Sequence, residues 1–324
     1  MQKICVNMEY LILILSLAGI VLGADFLVKG AVVVARKCRV SSFVIGAVIV
    51  GIGTSLPELV VSTVGAIGGN SEVAIGNVVG SNIFNVFAIL GLTALFFPIA
   101  VSRENMKFEI PFCIAVSVLL MLLVYNFFVV GEPRLGRWDG VALLLVFTAF
   151  MWISLRRGKN SAAAVGESVE EENKSLWFAA FSILGGLAAL IVSSNFFVDE
   201  AVAIARKLGV SDAFISITLL ACGTSLPELA ASVTAALKKD TDMALGNIIG
   251  SNIFNATMIL GTASLITPLT TGKIGLVDYG AMILAAVLPM IFGIRGKITR
   301  IEGLLMLLCY AAYTWYIVTY VMAV

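Results

Sequence analysis

Gly53-Thr54-Ser55-Leu56-Pro57-Glu58-Leu59 occurs twice in this chain, returning unchanged as Gly223-Thr224-Ser225-Leu226-Pro227-Glu228-Leu229. A second signature follows each copy: Gly76-Asn77 with Gly80-Ser81-Asn82-Ile83-Phe84-Asn85, then Gly246-Asn247 with Gly250-Ser251-Asn252-Ile253-Phe254-Asn255. Both recur at one offset of about 170 residues, and about 31 of the 70 positions from Ala31 to Ala100 match their partners from Ala201 to Thr270, which marks an internal duplication. Identity is densest at polar residues within apolar stretches, where a membrane protein keeps its functional groups.

Composition sets the class. With 60% hydrophobic residues, 13% charged residues and a mean hydropathy of +1.05, the chain cannot fold as a soluble domain without exposing most of its apolar surface. Apolar segments long enough to cross about 30 Å of hydrocarbon run near residues 10–34, 43–67, 73–97, 109–131, 138–155, 176–200, 212–236, 243–267, 275–294 and 302–323. The expectation is an all-α polytopic membrane protein of ten transmembrane helices, five per repeat. Residues 1–155 form the N-terminal repeat, 156–175 a cytoplasmic linker and 176–324 the C-terminal repeat. An odd number of spans per repeat inverts the second half relative to the first.

Basic residues give the orientation. With the N-terminus outside, the inner loops hold about 14 Lys and Arg and the outer side about 6, as the positive-inside rule requires, so both termini are expected outside. The opening apolar run has a competing reading as a signal peptide. It continues apolar to Ala35, however, and its counterpart before Arg206-Lys207 is mid-chain, so it reads as the first span. In the linker, Glu170-Glu171-Glu172 reads as a solvated loop, since three consecutive acids lack the fixed cage of a calcium site.

The five cysteines, Cys5, Cys38, Cys113, Cys222 and Cys309, are scattered singly and read as small apolar residues. The chain has no histidine, which removes the usual zinc ligands and imidazole proton shuttles. No cofactor and no nucleic-acid partner is expected.

The motifs carry oxygen chemistry. Pro57 and Pro227 delete a backbone donor and clash with the carbonyl four residues earlier, so the second and seventh spans should break at Gly53 and Gly223. Thr54, Ser55 and Glu58 then share one face of the resumed helix, as do Thr224, Ser225 and Glu228. Such hard donors suit Ca²⁺ or Na⁺. Asn77, Ser81 and Asn85 add a polar stripe at spacings of four, repeated by Asn247, Ser251 and Asn255. The flanking Gly76 with Gly80, and Gly246 with Gly250, let another backbone approach, so the broken and striped helices should pack together.

Ser and Asn in membrane helices often only bond across helices. Glu58 and Glu228 differ, because a carboxylate near the bilayer centre costs about 2.5–3.5 kcal/mol and needs a partner. No basic residue lies near either in sequence. An ion is the simplest partner. Asp25 and Lys29, four apart in the first span, read as a structural pair whose repeat partners are Asn195 and Asp199.

The paired motifs resemble the alpha repeats of the sodium/calcium exchanger family, within the calcium/cation antiporters, from about Gly23 to Pro268. The resemblance implies a core of spans two, three, seven and eight, across which spans one and six slide. It implies that Glu58 and Glu228 bind Ca²⁺ with help from the carbonyls of Thr54 and Thr224, and that Na⁺ uses the same carboxylates. By the same likeness, Ser55 with Ser81 and Ser225 with Ser251 line two flanking Na⁺ sites to which the Gly51 and Ala221 carbonyls contribute, and Asn85 and Asn255 line the centre. Potassium-dependent members carry aspartate at the position of Asn255, so the amide here implies K⁺-independent exchange. About three Na⁺ per Ca²⁺ would make transport electrogenic.

The expected function is thus a Ca²⁺/Na⁺ antiporter acting as a monomer in the cell membrane, not an enzyme. The alternative is a Ca²⁺/H⁺ antiporter of the same fold, although such relatives carry a glutamate where this chain has Val79 and Ile249. A calcium channel would lack coupling to a counter-ion, and an enzyme would have only Ser beside Glu for its chemistry.

Overall fold

The computed structural model describes residues 2–125, 132–160, 175–208 and 223–321. Its helices are α1 (Gln2–Cys38), α2 (Ser42–Thr54), α3 (Leu56–Ile67), α4 (Ser71–Phe96), α5 (Asn105–Tyr125), α6 (Arg137–Asn160), α7 (Leu176–Lys207), α8 (Leu226–Leu237), α9 (Thr241–Ile266), α10 (Leu276–Gly293) and α11 (Arg300–Tyr316). Among the described residues, eight helices are long and apolar enough to cross a membrane, and the α2–α3 pair, bent by 47°, makes a ninth candidate. The first half of the expected seventh span lies outside the described residues, leaving α8 as a 12-residue helix.

Several boundaries move outward from the sequence expectation. The first helix runs to Cys38, and α6 continues through Asn160, five residues into the expected linker. Hydropathy marks only where lipid is faced, whereas helix propensity and capping carry the turns into water. Ser41, Ser175 and Asp240 cap α2, α7 and α9 by accepting from the N–H groups of Val44 (3.4 Å), Phe178 (3.1 Å) and Met243 (3.0 Å).

The helical description also needs two small β-bridges. Four two-residue strands, β1 (Ile99–Ala100), β2 (Arg134–Leu135), β3 (Leu269–Thr270) and β4 (Lys297–Ile298), pair antiparallel as β1 with β4 and β2 with β3. Pro98 and Pro268 precede the first and third, where a helix cannot continue and the chain is held extended.

The breaks fall one to two residues later than expected. Helical backbone stops at Thr54 and resumes at Leu56, with Ser55 at φ −83°, ψ 10°; Ser225 has the same geometry, φ −92°, ψ 8°. This places Pro57 and Pro227 in the first turn of the new helix, where a missing N–H has no intrahelical partner to lose.

Two packing zones result. In one, α1 and α7 cross with backbones nearly touching: a methyl on Gly186 would meet the Leu27 nitrogen at 2.6 Å and the Gly23 carbonyl at 2.7 Å. In the other, α9 runs through the buried centre, its Gly246 and Gly250 against the backbones of Phe43 and Ala47 in α2. The expected approach of broken to striped helix is therefore seen between the halves. The repeat-equivalent neighbours of Gly76 and Gly80, residues 213 and 217, lie outside the described residues.

Candidate functional site

Glu58 and Glu228 stand in the first turns of α3 and α8 and are both 0% exposed. Each is held by the serine of the other half. Ser225 Oγ donates to Glu58 Oε1 at 3.1 Å, and Ser55 Oγ donates to Glu228 Oε1 at 2.8 Å. The two helix breaks thus face each other through reciprocal serine-to-carboxylate bonds. No Lys or Arg pairs with either among the described residues.

Behind each carboxylate a second amide fixes the backbone. Asn77 Nδ2 donates to the Glu58 carbonyl (3.3 Å) and to Ser62 Oγ (3.0 Å). Asn247 Nδ2 repeats this with the Glu228 carbonyl (3.1 Å) and Ser232 Oγ (2.8 Å). These two stripe residues hold the helix turn that presents the acid. Thr54 Oγ1 is turned back to the Val50 carbonyl at 3.0 Å, with Asn247 Oδ1 at 3.3 Å.

The floor of the site is a ring of four carboxamides. Asn82 Nδ2 donates to the Asn252 carbonyl and Asn252 Nδ2 to the Asn82 carbonyl, both at 3.1 Å. Asn85 Nδ2 donates to Asn252 Oδ1 (3.0 Å), and Asn255 Nδ2 to Asn82 Oδ1 (3.1 Å). Asn82 and Asn252 were not singled out from sequence because the stripe was counted at spacings of four. They lie three before Asn85 and Asn255, which helix geometry puts on the same face. From Asn85 to Leu90 and from Asn255 to Ile259 the backbone takes the wider π-helical turn, a feature common at functional sites.

Four oxygens are left over. Among the described residues, Glu58 Oε2, Glu228 Oε2, Asn85 Oδ1 and Asn255 Oδ1 are buried acceptors without a hydrogen-bond donor. Desolvating such acceptors unsatisfied is expensive, and the two carboxylates add two formal negative charges. A set of hard oxygens with no soft ligand is suited to a small hard cation of the Ca²⁺ or Na⁺ type.

The remaining predicted residues gather at the same place, with one change of pairing. Ser81 Oγ lies 3.4 Å from Ser225 Oγ, and Ser251 Oγ donates to the Gly51 carbonyl at 3.2 Å. These contacts join the halves, whereas the sequence reading had joined Ser55 with Ser81 and Ser225 with Ser251. Ala221 lies outside the described residues.

Comparison with known proteins agrees with this geometry. The family model described as sodium/calcium exchanger protein matches residues 8–156 and 178–319. The putative antiporter CaxA of Alkalimonas amylolytica is 36% identical, covering 93% of this chain and 97% of its own. The sodium/calcium exchanger MaX1 of Methanosarcina acetivorans is 35% identical over 95% and 98%. A solved structure of the sodium-calcium exchanger NCX_Mj, soaked in Na⁺ without Ca²⁺, superposes with a TM-score of 0.82 at 32% identity, covering 97% of this chain and 99% of that one. The chain is an integral membrane protein and belongs to the sodium/calcium exchanger family.

Proposed function

We propose that this protein is a secondary antiporter that exchanges Ca²⁺ for Na⁺ by alternating access. The observation that carries the reading is the buried carboxylate pair, each acid bonded to the other half's serine and each keeping one oxygen without a donor among the described residues. Two negative charges match one Ca²⁺. Replacing it by about three Na⁺ would add one positive charge to the site, making exchange electrogenic, with each net charge worth about 2.3 kcal/mol per 100 mV.

In this reading Glu58 and Glu228 take the central Ca²⁺ with the Thr54 and Thr224 carbonyls. Ser55, Ser81, Ser225 and Ser251, with the carbonyls of Gly51 and Ala221, serve the flanking Na⁺, and Asn85 and Asn255 close the centre. Amides at both of the latter positions leave no third acid for K⁺, so exchange is K⁺-independent.

The architecture that goes with this function is ten spans in two inverted repeats, of which the described residues supply the eight long helices, the bent α2–α3 pair and the short apolar α8. The asymmetry of Lys and Arg supports both termini outside and a cytoplasmic linker. The unit is one chain in the cell membrane.

The test is ⁴⁵Ca²⁺ uptake into proteoliposomes under imposed Na⁺, K⁺ or H⁺ gradients, with and without clamped voltage. Uptake driven by a Na⁺ gradient, unaffected by K⁺ and sensitive to voltage, is the expected result. Uptake driven only by a pH gradient would replace Na⁺ by H⁺ as the coupling ion.

A further inference from the structure

Glu58, Glu228, Ser55, Ser225, Asn85 and Asn255 are wholly buried, so some part of the protein must move before an ion can reach or leave them. The geometry singles out the α1/α7 pair. It lies directly over both breaks: a methyl on Gly53 would meet the Leu187 side chain of α7 at 2.8 Å, and one on Gly223 would meet Val198 of α7 at 2.8 Å. Its outer surface, with Leu15, Leu22, Phe181 and Leu184, is exposed and apolar, so it faces lipid and can slide without unpacking a core. It is also internally tied, by the glycine seam and by Lys207 Nζ to Glu9 Oε1 at 2.5 Å.

Among the described residues, a close ion pair joins this pair to the core, and Arg36 of α1 adds a longer-range attraction to the Asp240 carboxylate. Lys238, at the end of α8, lies 2.7 Å from Asp25 Oδ1 of α1 and donates to the Asp25 carbonyl at 3.2 Å. The other carboxylate oxygen of Asp25 is taken by Lys29 at 2.6 Å. Asp25 was read from sequence as the partner of Lys29 alone; it is shared, and its second partner belongs to the other half. The duplication has no counterpart. The equivalents of Asp25, Lys29 and Lys238 are Asn195, Asp199 and Gly68, from which no Asp–Lys pair can form.

We propose that Asp25 and Lys238 form a latch that holds the α1/α7 pair in one of its two positions on the core and so biases which side of the membrane the site faces. The inference rests on the alternating-access reading above. Sliding the pair separates Asp25 from Lys238 but leaves Glu9–Lys207 intact, because those two residues travel together. The duplication supplies no equivalent Asp–Lys pair for the opposite position. Asp25 and Lys238 are positioning residues: neither touches the ion site.

Pulsed electron-spin distance measurements in nanodiscs test this, with labels at Lys37→Cys on α1 and Lys297→Cys on β4 and the native cysteines replaced. Lys238→Met is expected to enlarge the minor distance population up to about fivefold, the size of a partly exposed ion pair. Asp25→Asn should give the same shift, the double variant no more than either single one, and Lys238→Arg the native distribution. Lys207→Met should leave the distribution unchanged. Native distributions in both Lys238→Met and Asp25→Asn, or additive shifts in the double variant, would overturn the latch. Calcium flux on the same preparations separates the two readings. A shifted distribution in protein that exchanges Ca²⁺ under no gradient keeps the latch and removes the antiporter, whereas intact Na⁺-driven exchange with unshifted distances removes the latch alone.

Discussion

Around the two buried carboxylates the halves repeat the same serine and amide hydrogen bonds, and at α1 and α7 they part. Ser225–Glu58 answers Ser55–Glu228, Asn77 answers Asn247, and Asn82 answers Asn252, with distances differing by at most a few tenths of an ångström. The crossing helices keep glycines at their contact but exchange charges freely: Asp25 and Lys29 on one side, Asn195 and Asp199 on the other. In the proposed exchange an ion released to both sides would need a site that looks the same from each, which accounts for symmetry at the carboxylates. On the same proposal, the α1/α7 pair would not have to be equally stable in its two positions, which accounts for the relaxed symmetry there.

The strongest break of this comparison is at the carboxylates. Glu58→Gln and Glu228→Gln should each abolish Ca²⁺ transport, at least about a hundredfold, because the amide keeps the volume but removes the charge that offsets Ca²⁺ desolvation. Equal losses are expected from the two, measured as Na⁺-driven flux at matched amounts of folded protein. Near-normal flux in either would show that the halves are not equivalent.

Inversion supplies the next contrast. Cysteines at Asn70, after α3, and at Lys239, after α8, occupy nearly equivalent places in the repeat and are both exposed. An impermeant maleimide should label the first only from outside and the second only from inside. Labelling of both from one side would refute inverted halves.

The amide ring should respond more mildly. Asn82→Ala and Asn252→Ala each strand a buried carbonyl and a neighbouring amide, so each should lower stability by about 1–3 kcal/mol per group left unpaired. Thermal unfolding in detergent reads this, and the two values should agree to within about 0.5 kcal/mol. The smallest effect belongs to adjacent glycines of α7. Gly186→Ala pushes into the α1 backbone and should cost about 1–3 kcal/mol, while Gly185→Ala, open on all sides, should be neutral or stabilising by up to about 1 kcal/mol. Similar melting points for both would mean that the α1/α7 seam is looser than its geometry.

Much of this was legible in one dimension because duplication acts as its own control. Repeated Glu58 and Glu228 in apolar segments could not be chance, and the proline two residues after each serine dictated a break. What stayed hidden is what crosses between the halves. A repeat displays the order of residues within each copy, and nothing in it says that Ser225 serves Glu58, that Ser81 sits beside Ser225 or that Lys238 reaches Asp25. Those pairings follow from how two copies dock. Asn82 and Asn252 were visible in the motif but lay off the stripe, and the β-bridges are too short for any periodicity to register.

Those bridges have a consequence for biosynthesis. β1 waits for β4 and β2 for β3, so each strand of the first half finds its partner only after the second half has been made. Glu58 likewise has no serine to receive until Ser225 emerges about 170 residues later, a delay of roughly ten to thirty seconds at ordinary elongation rates. For that interval the nascent first half carries Glu58 without its serine donor and Asn85 without the Asn252 amide it bonds. The two halves are copies in the gene, but neither is a module that matures alone.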